Sequence, residues 1–100
     1  MPFDIRFTPT AADHVRGYRK YDQQIILEGI ETQLRDQPHQ ETTNRKHLGA
    51  NELSDWELRI GKFRVFYDVE MGVDQQLVKV KAVGHKIHNR LIIAGREIEV

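Results

Sequence analysis

W-E-L-R-I-G-K-F-R-V-F-Y-D-V, residues 56–69, sets the hydrophobic period of this chain to two. Trp56, Leu58 and Ile60 alternate with Glu57 and Arg59. Gly61-Lys62 interrupts the pattern, and Phe63, Val65, Tyr67 and Val69 then alternate with Arg64, Phe66 and Asp68. Successive strand side chains point to opposite faces, so this is the pattern of two half-buried strands joined by a tight turn. A further turn at Met71-Gly72-Val73-Asp74 leads to a third strand over residues 77–83. Three consecutive strands with short links make an antiparallel meander.

Working outward, Asp4 to Phe7 alternates as a short first strand. Thr8-Pro9 is a helix start, with Thr8 as N-cap and Pro9 at the first helical position; Thr10 with Asp13 is the weaker alternative cap. Ala11, Val15 and Tyr18 carry this first helix to about Tyr21. Asp22 then caps a second helix, whose apolar stripe is Ile26, Leu27, Ile30 and Leu34. Pro38 ends that helix, and two helices joined so closely form an antiparallel hairpin. Residues 39–54 read as a polar loop anchored by Leu48, and Leu91-Ile92-Ile93 is apolar but too short to assign. The expected fold is α+β, one domain over residues 1–100, with an N-terminal strand and helical hairpin packed on a mainly antiparallel meander sheet. Its expected core is Val15, Ile26, Ile30, Leu34, Trp56, Leu58, Phe63, Val65, Val78 and Val80.

Composition narrows the chemistry. Without cysteine there is neither a disulfide nor a thiolate metal site. MPFDIRF lacks the apolar run of a signal peptide and no stretch is long enough to span a membrane, so the expected compartment is the cytoplasm. His39, His47, His85 and His88 fit no metal-binding spacing, so neither metal nor cofactor is expected. There is no phosphate-binding glycine loop, and Ser54, the only serine, has no nucleophile motif around it.

Fifteen basic and fifteen acidic residues cancel, yet residues 75–96 hold Lys79, Lys81, Lys86, Arg90 and Arg96 with no acid. Alternation sends Arg59, Arg64, Lys79 and Lys81 to the face away from the helices, and Lys86, His85, His88 and Arg90 follow just past the strand's end. A sheet with one wet face needs polar residues at every second position in any case. The single sign of these charges points further, to an anion-binding face: arginine's fork grips phosphate oxygens in pairs, and histidine exchanges protons near neutrality.

L-R-x-G-x-x-R-x-x-Y (58–67), the strand ending V-G-H-K (83–86), the R-K-H-L of the loop (45–48) and the order of elements resemble the RelE/ParE superfamily of toxins from type II toxin–antitoxin systems. The resemblance implies a cytoplasmic toxin neutralised by a cognate antitoxin encoded nearby. RelE-type members cut mRNA on the ribosome without a metal, the RNA's own 2′-hydroxyl attacking the adjacent phosphate; ParE-type members instead poison DNA gyrase without cleavage of their own. Carried over by position, Arg64 would clamp the scissile phosphate and Lys86 would stand where cleaving members have arginine. His85 or His88 would transfer the proton, and Arg59, Lys62, Lys79, Lys81 and Arg90 would contact the RNA backbone. Mutual support of Arg64, Lys86 and His85 favours the endonuclease. Against it, Asp55 and Glu57 stand where cleavers carry lysines, Leu91-Ile92 lies near the position of a base-stacking aromatic, and the chain is neutral. The alternatives are a non-catalytic gyrase inhibitor and a degenerate toxin acting only with its antitoxin.

Overall fold

In the computed structural model, which describes residues 2–99, the chain forms β1 (Asp4–Phe7) and passes straight into α1 (Pro9–Arg16). Thr8 caps the helix as predicted, its hydroxyl accepting the Ala11 N–H at 3.0 Å, and Pro9 sits in the first turn, where its missing donor costs nothing. The helix is shorter than the periodicity suggested. It stops at Arg16, where the Gly17 N–H donates to the carbonyls of Asp13 and His14, and Tyr18 leaves the helical path to bond His85. The second helix, α2 (Lys20–Leu34), therefore begins before Asp22. Asp22 lies in its first turn and accepts from the Arg19 side chain at 3.1 Å instead of capping it.

Ile26, Ile30 and Leu34 are buried, but Leu27 is 42% exposed. One residue on from Ile26 turns it about 100° around the helix, off the buried stripe.

The second half of the chain is a curled sheet. Its strands are β2 (Arg45–His47), β3 (Trp56–Ile60), β4 (Phe63–Met71), β5 (Gln76–Ile87), β6 (Arg90–Ile93) and β7 (Arg96–Ile98), each antiparallel to the next. The loop expected at 39–54 thus contains a strand, and the unassigned Leu91-Ile92-Ile93 lies in one. Two turns make the C-terminal hairpin possible: His88-Asn89 (φ 50° and 70°) and Ala94-Gly95 (φ 53° and 78°) both carry the positive φ that two-residue hairpin turns require.

β4 runs along one edge of β5. The other edge is shared, with β1 parallel to Leu77–Val80 and β6 antiparallel to His85–Ile87. Between them, the Val83 N–H donates to His14 Nδ1 at 3.2 Å, and the Val80 carbonyl accepts from the Thr8 N–H at 3.0 Å.

Each face of the sheet carries its own apolar cluster. On the helix face all ten expected core residues join Phe3, Ala11, Tyr67 and Val83. Trp56 and Tyr67 stack there at 6.1 Å, and the Tyr67 hydroxyl donates to the Pro38 carbonyl at 2.7 Å. On the opposite face, Phe66, Ala82, Leu91 and Ile93 pack with Leu48, Leu53 and Ile98. The C-terminal hairpin therefore covers part of a face that alternation alone would leave wet.

Two glycines permit close approach. A Cβ on Gly29 would lie 2.5 Å from the Ile60 side chain, where α2 crosses β3, and one on Gly84 would overlap the Ile92 carbonyl oxygen of β6. Gly29→Ala should lower stability by roughly 1–3 kcal/mol, although alanine favours a helix, because the overlap outweighs the propensity gain. Ile30→Ala or Leu34→Ala should cost about 2–5 kcal/mol as buried cavities. Urea denaturation of each variant checks both values; a stabilised Gly29→Ala would contradict the packing.

Candidate functional site

The cations sort themselves by strand and face. Arg59 on β3 and Arg64 on β4 are cross-strand neighbours, and Glu57 stands two residues from Arg59 on the same face. Curling of the sheet brings this region opposite β6 and β7. The result is a groove of about 550 Å³ lined by Lys46, Glu57, Arg59, Lys86, Arg90 and Glu97, with Glu99 at one side and Leu48, Leu91 and Ile98 as its apolar lining. Of the residues singled out by sequence, Arg59, Lys86 and Arg90 meet here.

Arg64 reaches the same face but is not presented to solvent. It is 8% exposed, and its guanidinium donates to the carbonyls of Gly61 at 2.8 Å and Phe63 at 2.9 Å. Its Nε lies 3.8 Å from the Glu57 carboxylate and has no hydrogen-bond partner. Burial, and next the neighbouring Arg59, press its pKa down, with Glu57 opposing. The guanidinium serves the β3–β4 hairpin before it serves any ligand.

The remaining residues are elsewhere. His85 pairs with Phe63 and therefore shares Phe63's helix-side face, whereas Arg64 pairs with Gly84 on the other. Its Nδ1 is 2.7 Å from the Tyr18 hydroxyl, and the two rings meet edge to face at 5.6 Å. The expected convergence of His85 with Arg64 over one surface does not occur; the sheet lies between them. His88 sits exposed in the β5–β6 turn, outside the groove lining. Lys62 lies 5.4 Å over the Phe63 ring. Lys79 and Lys81 do not extend the basic face, because Glu70 at 3.2 Å and Asp68 at 3.3 Å pair with them. Each of those acids stands on β4, diagonally from the lysine it meets on β5, a juxtaposition invisible until the strands are in register.

Lys46, Glu97 and Glu99 are groove residues that sequence reading missed. Lys46 was visible within R-K-H-L, but nothing local tied it to Lys86. A second hollow was also missed: His14, Gly17, Tyr18 and His85 enclose about 240 Å³ with Ala94 and Gly95. Among the described residues, no three His, Asp or Glu side chains form a metal-ligating group, and no helix is long and apolar enough to cross a membrane.

The histidines of this hollow respond to pH. Burial lowers the His14 pKa from its ordinary 6.5, Asp13 opposing, and burial lowers that of His85, Lys62 adding to the effect. Burial, with Asp22 adding, pushes the Tyr18 hydroxyl up to about 12, so it stays protonated at neutral pH. Because His14 Nδ1 accepts from the Val83 N–H, protonation there would place donor against donor. The unfolded chain binds these protons more readily, so the stability contributed is complete above pH 6.5 and is lost as pH falls below it. The urea midpoint should therefore drop between pH 7 and pH 5, as measured by far-ultraviolet dichroism. His14→Gln, whose amide oxygen can still accept from Val83, should flatten part of that slope; an unchanged slope would refute the role of His14.

A family model described as the ParE toxin of a type II toxin–antitoxin system, parDE, matches residues 5–89. The match runs from β1 to the β5–β6 turn, taking in Arg59, Arg64 and Lys86 and stopping before Arg90. No curated protein matches the chain. Among solved structures, the chain is similar to the crystal structure of the toxin–antitoxin complex RelBE2 from Mycobacterium tuberculosis. The TM-score is 0.71 and the identity 21%, over 86% of this chain and 100% of that one, a likeness of fold. With its L-R-x-G-x-x-R-x-x-Y strands, two helices and curled sheet, this chain belongs to the ParE toxin family of type II toxin–antitoxin systems, within the RelE/ParE superfamily.

Proposed function

We propose that this toxin acts by binding a protein target, DNA gyrase, and does not cut RNA itself. One observation carries the reading: His85 and Arg64 lie on opposite faces of the sheet. Cleavage by a neighbouring 2′-hydroxyl needs a proton-transfer group and a fixed positive charge at the same phosphate, since each works only within hydrogen-bond reach. Arg64, moreover, is buried, with its Nη1 held by two backbone carbonyls beside Glu57. A groove with mixed charge and an apolar lining suits a polypeptide surface better than a phosphate chain.

Neutralisation on this reading comes from an antitoxin, as in the complex whose toxin shares this fold. A partly disordered acidic segment would lie over Arg59 and Lys86, folding as it binds, with both partners in the cytoplasm. The second reading, a ribosome-dependent mRNA endonuclease, draws on Arg59, Lys86 and Arg90 sharing one groove.

Induced expression separates the two. Purified protein should inhibit gyrase supercoiling, while transcript ends on translated messages stay unchanged. His85→Ala should remain toxic, and Arg59→Ala with Lys86→Ala should lose gyrase inhibition by on the order of tenfold or more, as removal of central interface cations does. New transcript ends, abolished by His85→Ala with a loss of about 10²–10⁴ in cleavage rate, would establish the nuclease and overturn the proposal.

A further inference from the structure

Two of the three carboxylates lining the groove belong to the C-terminal hairpin. Glu97 is on β7 and Glu99 follows it, both beyond residues 5–89 that match the family model. The hairpin is fastened where it lies. β6 pairs with His85–Ile87, Leu91 and Ile93 are buried against Phe66 and Ala82, and Ile98 packs on the same cluster. Glu97 is thus held beside the cations by its strand, and Glu99 directly follows that strand.

Their electrostatic effect is large relative to the site. Lys46, Arg59, Lys86 and Arg90 face Glu57, Glu97 and Glu99, a formal balance of one positive charge; without Glu97 and Glu99 it would be three. Glu97 also engages one cation directly, its Oε1 lying 3.9 Å from Arg90 Nε. Among the described residues, Arg59 and Lys86 have no carboxylate within ion-pair distance.

We propose that Glu97 and Glu99 are specificity-determining residues that keep nucleic acid out of the groove and reserve Arg59 and Lys86 for a partner without a phosphate backbone. A nucleic acid gains affinity by releasing counterions in proportion to the phosphates it neutralises. A strand threaded along the groove must bring successive phosphates past both carboxylates, meeting repulsion there. A polypeptide surface carries separated charges, so it can set an acid against Arg59 or Lys86 and a base or an apolar group against Glu97 and Glu99. The family-matched part of the chain supplies three of the cations, Lys46, Arg59 and Lys86, and the hairpin supplies the discrimination.

The inference rests on the protein-target reading of this groove, and its test is independent of gyrase. A fluorescein-labelled oligouridine is titrated with the purified full chain, by anisotropy, over a series of salt concentrations. The wild type should bind weakly. E97Q/E99Q should bind tighter by on the order of tenfold at low salt, with a log–log salt slope steeper by about one. Adding Lys86→Ala to that variant should reverse the gain, placing the RNA in the groove. E99Q alone, an exposed position outside the strands, should show a smaller gain of the same sign and covers the case in which the double variant is poorly folded. Equal affinity of the wild type and the glutamine variants, whether tight or weak, overturns the proposal. A gain that survives Lys86→Ala does so too, because the RNA would then be bound elsewhere. A wild type that leaves gyrase untouched ends the protein-target reading and leaves the outcome of the RNA titration standing by itself.

Discussion

A strand in the middle of a sheet must find hydrogen-bond partners along both edges, and β5 is the strand on which that requirement falls. β4 supplies one edge along almost its full length. The other is assembled from three pieces: β1 over Leu77–Val80, a histidine ring at Val83, and β6 over His85–Ile87. The first piece ties the N-terminus to the sheet and fixes where α1 begins. The third draws the C-terminal hairpin onto the second face. Gly84 lies against the Ile92 carbonyl at the junction, where any side chain would push β6 away. Its place in V-G-H-K has a backbone reason, therefore, and not only a chemical one.

The same pairing divides the candidate site. Phe63 is committed to the helix-side core, where it meets Tyr18 edge to face at 5.4 Å. His85 is Phe63's cross-strand partner and must share that side. Arg64, one residue later, must take the other. The histidine adjacent to Lys86 in sequence is thereby separated from it by the thickness of the sheet, and joins His14 and Tyr18 in a hollow of its own. What remains on the concave face is a set of cations met by acids from three different strands.

Those acids explain how a chain of zero net charge can contain a run of cations with no acid among them. Asp68 and Glu70 on β4 meet Lys81 and Lys79 on β5; Glu57 on β3 meets Arg64 on β4; Glu97 on β7 meets Arg90 on β6. Each pair joins neighbouring strands, so the polarisation along the sequence is largely cancelled across the sheet. Within the groove, Arg59, Lys86 and Lys46 are the cations with no ion pair among the described residues.

Local rules determined a good deal by themselves. Alternation over 56–69 placed the two strands and the inward residues, the Thr8-Pro9 cap placed the first helix, and spacing over 26–34 placed Ile26, Ile30 and Leu34 in the core. The family, too, was legible in L-R-x-G-x-x-R-x-x-Y and its order of elements. These features depend on residues a few positions apart, which the chain brings together whatever the rest does. Other features needed partners from far away. Tyr18, just past the first helix, bonds a histidine 67 residues on, and β2 exists because β3 is beside it. Leu91-Ile92-Ile93 becomes a strand only by pairing with β5 across the His88-Asn89 turn, a dipeptide that carries no strong turn signal. The site belongs to this second class. Which cations are free, which are paired, and which face each side chain reaches are set by strand register and sheet curl, quantities that no short stretch of sequence contains.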